Sequence, residues 1–246
     1  MQLDYPIGWQ SDLAASKKKL KKLGEEYGLD ECTLEVGVGS YTRGPFPRLV
    51  SLYARMGLHR YNLLQGAKFQ LDRVEKYVLS MGSAAPTYGI TLDAVDGSSL
   101  QSFQVKVSED RDTHLDRGTV IMDTDLPEWP PKQNPFEKHY LVKDSELQDN
   151  DDWIRLYVEL AVAKSPGAKA ERAWAPEDLK ILKVAMDVVD GLNAKKNVLF
   201  YIEYKDLRLG RYSHGIAIVR RSFDEDEGSL FLVGKTVSLE SIPQVC

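Results

Sequence analysis

Cysteine is almost missing from this chain: two in 246 residues, Cys32 and Cys246. A protein of this size with so few thiols is not a disulfide scaffold, which points to a reducing compartment. No apolar run approaches the length of a membrane span. Residues 1–10 also lack the basic start and apolar core of a secretion signal. The expectation is an intracellular protein, in nucleus or cytoplasm, with no membrane partner.

Catalytic and metal-binding signatures are missing as well. The four histidines, His59, His114, His139 and His214, are scattered, and none has a second His or Cys at ligand spacing. His59 reads as a packed, hydrogen-bonded residue near an apolar helix face. No glycine-rich phosphate loop, nucleophile elbow or His-Glu-x-x-His run occurs. Asp149-Asn150-Asp151-Asp152 and Asp224-Glu225-Asp226-Glu227 read as solvated turns, without the glycine and terminal glutamate of an EF-hand. Arg220 and Arg221 are adjacent in a predicted strand, so they point to opposite faces. The expectation is no catalytic residue, no metal site, no cofactor and no enzyme. A net charge of −5 makes nucleic acid an unlikely partner. The lysine run Lys17-Lys18-Lys19-Leu20-Lys21-Lys22 lies in a predicted polar helix over 11–23. It reads as a solvated face, with a nuclear-import tag as the alternative.

What is present is patterned hydrophobicity, at 43% of residues against 28% charged. Leu49, Leu52, Tyr53, Met56 and Leu63 recur at helical spacing and predict a helix over 46–66. Strands are predicted over 33–40, 68–79, 88–95 and 101–107, the last two joined by Asp96-Gly97-Ser98-Ser99. That is a helix lying across an antiparallel meander, an α+β fold.

From 108 to 138 the pattern dissolves into aspartates and four prolines, with an edge strand over 119–122. Residues 140–143 and 153–162 are predicted extended, because Ile154, Leu156, Val158, Leu160 and Val162 alternate with Trp153, Arg155, Tyr157 and Glu159. Pro176 opens a predicted second helix over 176–193, with Leu179, Leu182, Val184, Met186 and Val189 on its apolar side. Strands over 197–205, 214–221 and 230–237 complete the chain. Both halves then read strand, helix and three strands. The implied organisation is a polar helical segment 1–30, a first half 31–110, an acidic, proline-rich connection 111–138 and a second half 139–240.

Residues 54–62, Ala-Arg-Met-Gly-Leu-His-Arg-Tyr-Asn, resemble the helix signature of plant cystatins, and 88–97 with 103–107 resemble the hairpin that follows it. Residues 52–66, 142–147 and 218–225 are similar to phrases of a plant-specific family, the male-sterility-five type of cystatin/monellin-like proteins. The resemblance implies a cystatin/monellin-like fold, here as two halves in tandem, and an association with reproduction and meiosis, without a reaction. Cystatins inhibit papain-like proteases through a Gln-x-Val-x-Gly hairpin and a Pro-Trp hairpin. Here the first hairpin is Met81-Gly82-Ser83-Ala84-Ala85-Pro86, and Ser108-Glu109-Asp110 stands where Pro-Trp belongs. Cysteine-protease inhibition is therefore the disfavoured alternative.

The expected function is non-catalytic, through contact with an unknown protein partner. Candidate docking residues are Trp129, Pro130, Pro131 and Phe136 in the connection, where aromatic anchors sit among rigid prolines. The same residues could instead pin the loop to its own domain. Glu203 and Arg220 are the polar strand residues that a small-molecule site on a sheet face would use.

Overall fold

The computed structural model describes residues 34–38, 48–80, 86–109, 119–122, 126–164, 178–187, 197–208, 214–224 and 228–239. The lysine run, both cysteines, His114 and residues 81–85 lie outside them.

The first block follows the predicted order. Strand β1 (Leu34–Val38) precedes helix α1 (Arg48–Gln65), then β2 (Gln70–Ser80), β3 (Thr87–Asp96) and β4 (Ser99–Ser108). Helix α1 stops at Gly66, whose φ of 64° suits a residue without Cβ at a helix end. Asn62 secures the exit: its Nδ2 donates to the Phe69 carbonyl at 2.8 Å and its Oδ1 accepts from Phe69 N at 3.1 Å. Gly97, at φ 59°, turns the β3–β4 hairpin. Helix α1 presses hard on the sheet at Gly57, where an added Cβ would lie 2.6 Å from Val105 Cβ.

The second block departs from expectation twice. Residues 153–162 are helical, within an α-helix over Asp144–Lys164. That helix is buried continuously from Leu156 to Ala161, the ion-paired Glu159 included, so no polar face marks the 3.6-residue period. The same helix includes residues 149–152, which are therefore not a turn. Conversely, the predicted second helix contains a strand, β7 (Leu179–Met186). A bulge between Ile181 and Lys183 shifts the phase of β7, so Leu179, Leu182 and Met186 mimic helical spacing. Strands β8 (Val198–Asp206), β9 (His214–Asp224) and β10 (Ser229–Ser238) come where the alternation places them.

Strand β5 (Thr119–Met122) is not at an edge. It runs parallel to β10 over four residues and to β4 over two, while the other pairings are antiparallel. The sheet order is β1-β2-β3-β4-β5-β10-β9-β8-β7-β6, where β6 is Tyr140–Leu141. A one-turn helix, α2 (Pro135–Lys138), precedes β6, and the long helix over 144–164 is α3.

Helices α1 and α3 pack against each other as well as against the strands. They run antiparallel: Arg55 Nη1 bonds Glu159 Oε2 at 3.0 Å, and His59 Nε2 lies 3.0 Å from Tyr157 OH. Further along, Lys164 and Tyr53 converge on Glu109, with Tyr53 OH donating to Oε1 at 2.5 Å. One core cluster contains Tyr53, Met56 and Ile90 from the first block and Ile154, Phe200 and Leu232 from the second.

Arg221 of β9 enters that core, only 1% exposed. Its guanidinium carbon lies 5.4 Å from the Trp153 ring centre and 5.2 Å from that of Phe200, so π-faces replace part of its lost hydration. Arg221 Nη1 donates to Tyr157 OH at 3.5 Å. Tyr157 is then free to donate to a neutral His59. Burial first, and the Arg221 charge second, push His59 from its ordinary pKa of 6.5 down to about 3.

Two outcomes follow from these contacts. Ala is the better helix former by about 1 kcal/mol, yet Gly57→Ala should destabilise by about 1–2 kcal/mol, since overpacking typically costs about 1–3. Denaturant unfolding should show the Gly57→Ala/Val105→Ala double variant more stable than the two single losses predict. The second outcome concerns pH. His59 is neutral when folded, whereas the unfolded chain protonates it below about pH 6.5, so its contribution is complete above that pH. Below it, down towards pH 3, stability should fall by about 1.4 kcal/mol per pH unit. The slope is read as wild type minus His59→Gln in urea melts, and equal slopes would contradict the assignment.

Candidate functional site

Helices α1 and α3 occupy one face of the sheet, so side chains alternating away from them need another cover. In the second block these are Ala185, Leu199, Tyr201, Ile216 and Ile218, which form a separate small apolar cluster. Leu126, Trp129, Phe136 and Leu239 pack over it. The described part of the connection from Leu126 to Phe136 is therefore laid across the sheet face opposite α1 and α3.

Local chemistry shapes this loop. The Trp129–Pro130 peptide is cis. Asn134 caps α2: its Oδ1 accepts from Phe136 N at 3.1 Å, and its Nδ2 donates to Glu137 Oε1 at 3.1 Å. Pro135 fills the first helical position, where a missing amide costs nothing. His139 then stacks on Tyr201, with ring centres 5.6 Å apart and planes inclined by 12°. Burial, with Asp187 next, raises the Tyr201 phenol above its ordinary pKa.

Between loop and sheet lies a groove of about 390 Å³. Trp129, Pro130, Pro131 and Phe136 all line it, together with Glu203 and Ile216. The four candidate docking residues are thus brought together. Trp129 is half-buried, and its Nε1 is a buried donor with no hydrogen-bond partner among the described residues. Glu203 carries the polar end: its Oε2 is 3.8 Å from Lys183 Nζ and its Oε1 is 3.3 Å from His214 Nε2. Lys183 and Leu239 also line the groove and were not among the sequence candidates. Lys183 fell in a segment read as helix, and Leu239 reaches the loop only through the fold. The period-two alternation of β8 and β9 was the available signal for Glu203 and Ile216.

Other candidates are placed elsewhere. Arg220 is half-buried and does not line the groove, while its neighbour Arg221 enters the core. His59 is buried against Tyr157, as the packed reading expects. Among the described residues, no group of three or more His, Cys, Asp or Glu side chains is placed to hold a metal ion. No helix among them is long and apolar enough to cross a membrane.

The model of the family described as Protein MS5 matches residues 126–232, from the start of the groove loop into β10. A UPF0725 protein of Arabidopsis thaliana is 44% identical over 169 residues, covering 61% of this chain and 97% of its own. A second, UPF0725 protein EMB2204 of the same plant, is 36% identical over 229 residues, covering 80% of this chain and 69% of its own. Among solved structures, MS5 from Brassica napus superposes with a TM-score of 0.64 at 30% identity, over 79% of this chain and all of that one. The α+β architecture of helices packed on antiparallel strands, its likeness to that crystal structure and these identities lead to one assignment: the chain belongs to the plant MS5 family, the UPF0725 proteins.

Proposed function

We propose that this chain is a non-catalytic intracellular protein that acts by protein–protein contact in plant reproductive development or meiosis, docking its partner in the groove beneath the Trp129–Phe136 loop. One observation carries this reading. The groove, about 390 Å³, sets Trp129, Pro130, Pro131 and Phe136 over Ile216 and Leu239, with Lys183 and Glu203 also in its lining. The prolines already restrict the loop, so binding orders little additional backbone. The reproductive setting rests on the family name. We further infer that the two helix-plus-meander blocks are a tandem pair of cystatin/monellin-like halves, supported by their shared element order.

The test changes the groove and leaves the loop intact. Lys183 lines the groove, and its side chain is 58% exposed. Lys183→Glu sets a like charge opposite Glu203 in the strand register, costing about 0.2–1 kcal/mol of stability. Lys180, on the same strand but outside the groove lining, provides the control. In cross-linked purifications from floral tissue, wild type and Lys180→Glu should retain the same proteins and Lys183→Glu should lose them. Equal retention by all three would refute docking at this groove.

A further inference from the structure

Three strands supply the floor of the groove, and a fourth delivers the chain to it. Val237 of β10, Ile216 of β9, Glu203 of β8 and Lys183 of β7 are successive partners in the sheet register. Ile216, Glu203 and Lys183 line the groove, and so does Leu239, the residue that follows the end of β10 at Ser238. Leu239 also packs on the apolar cluster of the same sheet face, as Trp129 and Phe136 do. The next seven residues are Glu240-Ser241-Ile242-Pro243-Gln244-Val245-Cys246, which lie outside the described residues. That segment therefore departs from a residue of the groove's own lining.

Reach and composition both suit it to the groove. From β10 to β7 is three strand spacings, about 14 Å at about 4.8 Å each. Extended backbone advances about 3.3 Å per residue, so about five residues cross the floor. Ile242, Pro243 and Val245 are apolar, and they match walls of Trp129, Pro130, Pro131 and Phe136 above Ile216. Pro243 fixes its own φ and biases Ile242 towards extended backbone, which lowers the entropy lost on docking. A short tether also holds a segment at an effective concentration in the millimolar range. Contacts too weak to join separate molecules then suffice within one chain.

Resting on the docking reading above, we propose that residues 240–246 occupy the groove of their own chain and exclude the partner until it displaces them. Partner binding is then a competition. The apparent affinity falls in proportion to the fraction of chains whose groove is open.

The test uses the full chain labelled with ¹³C at the methyl groups of Ile, Leu and Val. Nuclear Overhauser cross-peaks should connect the Ile216 methyl with those of Ile242 or Val245, at an intensity per molecule independent of protein concentration. In the cross-linked purifications from floral tissue, Ile242→Asp/Val245→Asp should retain at least about threefold more of the proteins that wild type retains, as for a groove open about a third of the time. Missing cross-peaks overturn the proposal, and so do cross-peaks that grow only as the sample is concentrated, which assign the groove to a second copy. Cross-peaks with unchanged retention overturn the exclusion of the partner. Missing cross-peaks with Lys183-dependent capture intact remove the self-docking alone. Cross-peaks with equal retention by wild type, Lys180→Glu and Lys183→Glu remove the docking reading, and the exclusion falls with it.

Discussion

The rest of the structure depends on how the two long helices meet over the sheet. A cationic side chain from β9 is enclosed there between Trp153 of α3 and Phe200 of β8. Tyr157 links it to His59 of α1. Burying a guanidinium is costly unless its donors and its charge are met. The aromatic faces and the Tyr157 hydroxyl meet part of that demand only if α1, α3 and the second block hold one arrangement. Arg55–Glu159 extends the seam in one direction, and Arg60 donates to the Gly228 carbonyl in the β9–β10 turn. Strand β5 completes the join, hydrogen-bonded to β4 on one side and β10 on the other.

That arrangement determines where function can reside. With α1 and α3 on one face, the second block's outer face is covered, among the described residues, by the 126–139 segment and Leu239. The cover is held by α2's cap, the His139–Tyr201 stack and apolar contacts at Trp129 and Phe136. It does not close over everything beneath it. At the groove's polar end Lys183 Nζ lies 3.8 Å and His214 Nε2 3.3 Å from the two Glu203 oxygens, while His214 Nε2 and Trp129 Nε1 are both buried nitrogens without a hydrogen-bond partner among the described residues. A structural loop whose aromatic side chains also line a groove is suited to recognition.

Much of the architecture was legible because its strands are short apolar runs bounded by turn signals: β3, β8 and β9 are buried on both faces along most of their length. Helix α1 keeps half-buried positions between its core residues, so its period survives in the sequence. The two misread elements gave no such signal. From Leu156 to Ala161, α3 is enclosed by α1 and the sheet, so apolar and polar positions cease to mark faces. In β7 a single bulge re-phases the alternation. Strand β5 was recognised as a strand and misplaced at an edge, since four residues cannot reveal two parallel neighbours. Trp129, Pro130, Pro131 and Phe136 could be named from local chemistry, being rigid backbone beside large aromatics. Their floor could not, because Ile216 and Lys183 come from strands distant in sequence. The unmatched indole N–H belongs to the tertiary fold alone.

The seam and β5 make one cooperative unit of both blocks. Native-state hydrogen exchange at increasing denaturant measures this directly, by comparing amides of β3 with amides of β8. Both sets should merge into one opening reaction with the same free energy and the same denaturant dependence. Separate isotherms, with one block opening at markedly lower free energy while the other stays protected, would contradict it.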